Sequence, residues 1–282
     1  MPDSIVPSAS FTLDEFYDLY PRVEEEFQAA LDVSLNPRGP DQLYDLVESL
    51  VLPPGSSVLD LGCGEGRHSL RLASRFGFTV HGVDPVPRHI ELAGEALAEA
   101  AAQQPELSER VRFELGAAET IPAADATYDL VWCRDVLVHV ADLDQAYTSC
   151  RRVLRPGGRM LVYQMFGAER MEPREAAWLY ATMGCVPQNM DPSHTVAAIA
   201  HAELHIEQCL ELGSEWGERY EEDDGHGTRQ LLHAARLFRA PERYRDRFGP
   251  MAYDMMLGDC LWHIYRMIGK LSPRIYLLAP AT

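Results

Sequence analysis

The apolar positions of this chain change period several times, and each change marks an element. Phe11, Phe16, Tyr17, Tyr20, Val23 and Phe27 recur at helical spacing, and residues 41–50 predict a second helix, with Pro37 and Pro40 between the two. Pro53-Pro54-Gly55 then punctuates the chain. From Ser57 onward, short apolar runs alternate with longer stretches of helical period. The runs predict strands near 57–61, 79–83, 110–115, 128–133 and 159–165, with helices near 67–76, 87–103 and 142–153. Alternation of this kind implies a parallel sheet covered by helices on both faces. After Gln164 the regularity stops. Helices are expected near 172–183 and 194–204, then a strand over 206–216 and a solvated acidic loop at 221–225. An aromatic- and methionine-rich helical stretch over 228–269 and a last strand at 274–279 complete the pattern.

The strand at 57–61 breaks into a glycine-rich turn, SVLDLGCGEGR, which carries Asp60, Gly62, Gly64 and Gly66. Glycine at such a turn permits unusual dihedrals and close approach of a ligand to the backbone. A dinucleotide fingerprint is GxGxxG, with pyrophosphate on the helix N-terminus. Here the spacing is GxGxG, with Asp60 two residues before the first glycine and Glu65 inside the turn. An acidic loop suits a cationic ligand carrying an amine better than a pyrophosphate. Twenty residues past Gly64, the strand FTVHGVD ends at Asp84, where an acid can hydrogen-bond ribose hydroxyls.

The DLGCGxG form resembles motif I of class I S-adenosylmethionine (SAM)-dependent methyltransferases, and LRPGG before the fifth strand is a further point of likeness. The resemblance implies that Asp60, Gly62 and Gly64 hold the amino-acid end of SAM and that Asp84 holds its ribose. Residues 116–119 (GAAE) stand where the family has GDAE beside the adenine, so Ala118 and Glu119 are the expected contacts, with Ala117 replacing the usual Asp. The implied fold is α/β: a doubly wound, seven-stranded, mostly parallel Rossmann-like sheet with N-terminal helices and helical lid insertions. The corresponding division is 1–50 helical cover, 51–165 SAM-binding core, 166–192 insertion, 193–220 core, 221–270 helical insertion and 271–282 last core strand. The motifs themselves cover roughly 57–165, a little over a third of the chain.

The fourth strand runs into WCRDVLVHV, which places Arg134, Asp135 and His139 at a strand end where open α/β sheets bind ligands. Asp135 and His139 are four apart, so a helical turn there puts them on one face. An Asp near a His can orient the ring and raise its basicity. The RDxxxH spacing is similar to phosphoethanolamine methyltransferases, which implies that His139 pairs with an N-terminal tyrosine, Tyr20 with Tyr17 beside it, and closes over SAM. It also implies that Arg134 lies at the cofactor and Asp135 faces the acceptor. Packing against the sheet edge accounts for His139 equally well. The phosphate-gripping set of those enzymes is not matched by Arg170, Arg174 and Tyr180, so a phosphorylated acceptor is not carried over. Glu215-Trp216, read as a strand end, offers a carboxylate for an amine and an indole for an aromatic acceptor; strand-end packing is the alternative. His201 and His205 lack the HExxH order and read as a solvated helix face, so no metal is expected.

Composition narrows the classes. With 43 acids against 25 Lys plus Arg, the net charge of −18 repels nucleic acid. No apolar run approaches a membrane helix, and MPDSIVPSAS has no basic region followed by an apolar core. Six scattered cysteines without CxxC read as thiols in a reducing cytoplasm. The expected function is methyl transfer from SAM, leaving S-adenosylhomocysteine, to carbon or nitrogen of a small aromatic or amine-bearing metabolite; an indole alkaloid precursor fits. The partner is thus a small molecule, and the chain is a monomer or homodimer. A small-molecule O-methyltransferase, a SAM-binding cyclase or binding protein that does not methylate, and an NAD-dependent dehydrogenase are the other readings.

Overall fold

The computed structural model describes residues 12–281 in two units, divided after Pro37. Phe11 and the N-terminal ten residues discussed above lie outside the described residues. In the first unit, α1 (Leu13–Leu31) begins with a capping box. Thr12 Oγ1 accepts from Glu15 N at 3.2 Å, and Glu15 Oε2 accepts from Thr12 N at 2.6 Å, so two orphan donors are satisfied at once. Phe16 stacks on Tyr20 at 5.5 Å between ring centres.

The second unit runs α2 (Gln42–Ser49), β1 (Ser57–Leu61), α3 (Arg67–Phe76), β2 (Thr79–Asp84), α4 (Pro87–Gln103), a short α5 (Leu107–Arg110), β3 (Val111–Leu115) and β4 (Tyr128–Arg134). A 3-10 turn, Leu137–His139, precedes α6 (Leu143–Val153) and β5 (Leu154–Gly167). Then come α7 (Pro173–Met183), a second 3-10 turn at Pro187–Met190, α8 (Pro192–His201) and β6 (Leu204–Glu211). Four helices follow: α9 (Glu215–Asp224), α10 (His226–Arg239), α11 (Pro241–Phe248) and α12 (Pro250–Met267). β7 (Leu271–Pro280) closes the fold.

The seven strands form one sheet in the order β3-β2-β1-β4-β5-β7-β6. β1 to β5 are parallel, and β7 runs antiparallel to both neighbours, β5 and β6. The expected doubly wound, mostly parallel, seven-stranded sheet is therefore the one present. Its inner strands, β1, β2, β4, β5 and β7, are mostly buried, which is why they read as apolar runs, whereas the edge strands β3 and β6 are largely open to solvent. Alternate residues serve two cores. Leu59, Val131, Cys133 and Val162 pack on one face with Tyr147 and Cys150 of α6 and Ile199 of α8. Val58, Leu130, Trp132, Leu161 and Tyr163 pack on the other with Leu43 and Tyr44 of α2 and Leu72 of α3.

Several expectations are corrected. The strand read over 206–216 ends at Glu211, and Glu215 and Trp216 open α9 instead. The acidic loop at 221–225 is the last turn of α9 with its glycine cap, Gly225. His201 ends α8 while His205 belongs to β6, so they do not share a helix face. The helical turn expected to align Asp135 with His139 is absent. Asp135 adopts φ 57°, in the left-handed region, and only Leu137–His139 is 3-10. Asp tolerates that region better than most residues because its short polar side chain relieves the crowding.

The turn after β4 is clamped from the far side of the chain. Asn189, buried in the second 3-10 turn, donates through Nδ2 to Leu137 O and to Val140 O, both at 2.8 Å. Its own carbonyl accepts from the buried Gln164 Nε2 at 2.7 Å. Replacing Asn189 by Ala leaves two buried carbonyls without their donors. Asn189→Ala is expected to cost about 2 kcal/mol of unfolding free energy in urea titrations, within the range for a buried unsatisfied group; a loss below about 0.5 kcal/mol would show that the turn holds without it.

Candidate active site

Strand order reverses between β1 and β4, so the crevice beyond their carboxyl ends is open to a ligand. Asp60, Gly62, Gly64 and Asp84 meet on one side of it. The buried Asp60 carboxyl accepts from Ser69 Oγ at 2.5 Å, and burial pushes its pKa up to about 6. Gly62 (φ 71°) passes so close to Val136 that a Cβ would lie 2.1 Å from Cγ2. Gly64 (φ 51°) differs: a Cβ there would meet nothing within 4 Å, so the turn leaves a hollow above its backbone. Gly64 N donates to Asp84 Oδ2 at 3.0 Å, tying the end of β2 to the turn. Asp84 Oδ1 accepts from Val86 N at 2.9 Å and lies 3.0 Å from His89 Nδ1. Oδ2 thus keeps acceptor capacity toward the crevice. Ala118 is buried in the core, while Glu119 is half-buried with its carbonyl accepting from Gln145 Nε2 at 3.2 Å.

Across the crevice, Arg134 ends β4. Its Nη1 donates to His68 Nε2 at 2.6 Å, which leaves the other ring nitrogen to meet the Tyr44 hydroxyl at 2.5 Å. Burial, with Arg134 nearby, drives His68 down to about 3, so the ring is neutral and accepts from the guanidinium. The Arg134 guanidinium also sits 5.7 Å from the Tyr163 ring and 5.9 Å from Trp216. Its Nε is buried without a partner.

Arg134, Asp135 and His139 all line a cavity of about 440 Å³. The walls include Tyr163 and Met165 from β5, Tyr220 from α9, and Asp259, Trp262, His263 and Arg266 from α12. Asp135 Oδ1 is sealed from solvent with no hydrogen-bond partner, and burial raises its carboxyl to about 6. His139 Nδ1 lies 2.9 Å from Gly184 O and donates to it, so Nε2 carries the lone pair. A cavity holding a positioned imidazole and a sealed carboxylate can orient a polar acceptor and take a proton from it.

Other candidates have partners of their own. Glu215 is engaged by Arg38, whose Nε donates to Oε2 at 2.7 Å and whose backbone N donates to the same atom at 3.0 Å; the remaining oxygen pairs with Nη2. Its carboxylate is thus committed rather than offered to an amine, and the pair holds its pKa below the usual range. Trp216 is fully buried and stacked 4.3 Å from Tyr163, supporting the wall of the site from behind. Tyr17 and Tyr20 belong to α1 of the first unit, where the Tyr20 hydroxyl donates to Glu24 Oε1 at 3.0 Å. His68, Asn189, Tyr163 and Arg266 were not singled out from the sequence. For Arg266 a signal existed: it is the one Lys or Arg of α12, at the penultimate position of a helix rich in aromatic and methionine residues.

The residues match a known family. The model of the methyltransferase domain matches residues 52–222. The chain is 36% identical over 122 residues to "Methyltransferase GfsG" of Streptomyces halstedii, covering 43% of this chain and 41% of the relative. It is 34% identical over 115 residues to "27-O-demethylrifamycin SV methyltransferase" of Amycolatopsis mediterranei, covering 41% and 40%. The match thus spans about two fifths of each relative's length. Among solved structures, the [4+2]-cyclase SpnF is similar with a TM-score of 0.66 at 21% identity, covering 95% of both chains.

The sealed carboxyl of Asp135 has a pH signature. Its folded pKa of about 6 lies above the ~3.9 of an unfolded Asp, so the folded protein binds the proton more tightly between those values. Its contribution to stability therefore falls as pH rises through that window. Measured by urea unfolding, the stability of Asp135→Asn relative to the parent should rise by on the order of 1–3 kcal/mol from pH 4 to pH 8. A difference that is flat in pH would contradict a buried, uncompensated carboxylate.

Proposed function

The chain belongs to the methyltransferase-domain family, and we propose that it transfers a methyl group from SAM to a small molecule held in the cavity beside Asp135 and His139. The observation that carries the reading is the pairing of a glycine hollow between two carboxylates with an adjoining cavity at one switch point of the sheet. Burial, with Asp84 nearby, pushes the Asp60 carboxyl up, and a cationic donor beside it offsets that cost. Asp84 Oδ2 receives ribose hydroxyls, the Gly64 backbone faces the amino-acid tail with Asp60 behind it, and Ala118 and Glu119 border the adenine. Arg134, carrying an unpartnered Nε, is placed to meet the donor's carboxylate.

SAM supplies a methyl group already activated by its sulfonium. The protein's part is to align the acceptor, keep out water and accept one proton. Asp135 orients a donor group of the acceptor through its sealed Oδ1. His139 Nε2, held by the Gly184 carbonyl on its opposite edge, takes the proton released from nitrogen, oxygen or activated carbon. The aromatic walls, Tyr163, Tyr220 and Trp262, favour a flat or amine-bearing acceptor methylated on carbon or nitrogen, leaving S-adenosylhomocysteine. Oxygen transfer is the second reading. It is favoured by the free imidazole nitrogen, which suits a hydroxyl acceptor, and by the likeness to a relative named for an O-demethylated substrate.

Two variants test the assignment in a screen of small indoles, phenols and amines for S-adenosylhomocysteine release. Asp84→Ala should weaken SAM binding at least tenfold, as expected for losing hydrogen bonds to a charged group. His139→Ala should lower turnover about a hundredfold with SAM affinity unchanged; an unaltered rate removes His139 from the chemistry. A chain that binds SAM without releasing S-adenosylhomocysteine with any acceptor would favour the non-methylating reading.

A further inference from the structure

One wall of the cavity carries a cation whose direct partners are all neutral. Arg266, on the last turn of α12, is only 6% exposed, and it forms no ion pair with a carboxylate among the described residues. Its Nη2 donates to His263 Nδ1 at 3.2 Å, and its guanidinium lies 5.3 Å from the Tyr220 ring and beside the Tyr163 hydroxyl. Its Nε is buried with no partner at all. Burying a charge that only neutral groups solvate is costly, and a protein normally places a counter-ion there.

The neighbours do not provide one. His263 is held neutral by burial and by Arg266 itself, its pKa lowered to about 4. His226 packs edge-on to His263 at 4.6 Å. Asp259 faces the far nitrogen of His263 at 3.8 Å, Asp224 lines the cavity, and Asp135 lies within electrostatic reach of Arg266 but makes no ion pair with it among the described residues. None of Asp60, Gly62, Gly64 or Asp84 lines this cavity, so Arg266 is set apart from the donor's cradle.

We infer that Arg266 receives a carboxylate of the acceptor. The inference rests on the function proposed above and narrows its acceptor class. A guanidinium grips a planar carboxylate through two parallel N–H bonds, and the unsatisfied Nε is one edge of that fork. The ligand is a monoanion, because Arg134, the other arginine lining the cavity, is assigned above to the donor's carboxylate and leaves Arg266 as the cation for the acceptor. In the same cavity, Asp135 Oδ1 lacks a hydrogen-bond donor. The acceptor is therefore bipolar: a carboxylate at α12, an N–H or O–H at Asp135 and His139, and a flat apolar body between Tyr163, Tyr220 and Trp262.

Three probes that share one ring separate this from the alternatives: indole-3-acetate, its methyl ester and tryptamine, titrated by ligand-observed NMR into the full chain saturated with S-adenosylhomocysteine. Indole-3-acetate should saturate the protein, with the ester and tryptamine at least tenfold weaker and inorganic phosphate unable to displace it. Arg266→Met should abolish the preference for the acid, and Arg266→Lys should retain part of it. Unchanged affinity for S-adenosylhomocysteine shows that the variants are folded. Preference of the parent protein for tryptamine or the ester, no saturation by indole-3-acetate, or acid binding that survives Arg266→Met would overturn the assignment. If S-adenosylhomocysteine itself does not bind, the methyltransferase reading fails first, and the two failures are distinct.

Discussion

The reversal of strand order between β1 and β4 is the constraint on which everything else in the core unit depends. Crossovers from β1 and β4 leave the sheet in opposite directions, so no helix covers the crevice between their carboxyl ends. Two backbone features then furnish it. The glycine turn after β1 keeps a hollow over Gly64, and the left-handed Asp135 after β4 turns the chain away at the other lip. Without the reversal, the carboxylates of Asp60 and Asp135 would be buried charges with no purpose. With it, the proposed ligand offsets their desolvation.

The site tolerates local costs that a purely structural core would not. Asp60 and Asp135 are both pushed up to about 6 by burial, and Arg134 and Arg266 each keep an unpartnered Nε. Such groups cluster where function demands them. They are held in place by satisfied neighbours. Asn189 clamps the turn that carries His139, neutral His68 braces Arg134, and Trp216 stacks behind Tyr163.

The sheet was legible because its inner strands are mostly buried and their apolar runs stand out between amphipathic helices. The glycine turn and Asp84 were legible because backbone geometry confines the residue types allowed there. The acceptor site was less so, and for physical reasons. Glu215-Trp216 follows β6 closely, so the run reads as strand to its end, yet β6 stops at Glu211 and α9 begins at Glu215 with Ser214 as its N-cap. Glu215 lost its candidate role to Arg38, a partner 177 residues away that no local pattern reveals. Asp135 and His139 did come to one cavity, but through a left-handed residue and a 3-10 turn rather than the helical turn that their spacing implied. Arg266 was hidden because its importance lies in the absence of a partner, which only the packed structure displays.

The central claim is that the glycine turn and its two carboxylates receive a sulfonium nucleoside rather than a dinucleotide. Isothermal titration of the purified chain with S-adenosylhomocysteine and, separately, with NAD tests it most directly. The account predicts saturable one-to-one heat with the first and none with the second; heat from NAD alone, or from neither, would contradict it.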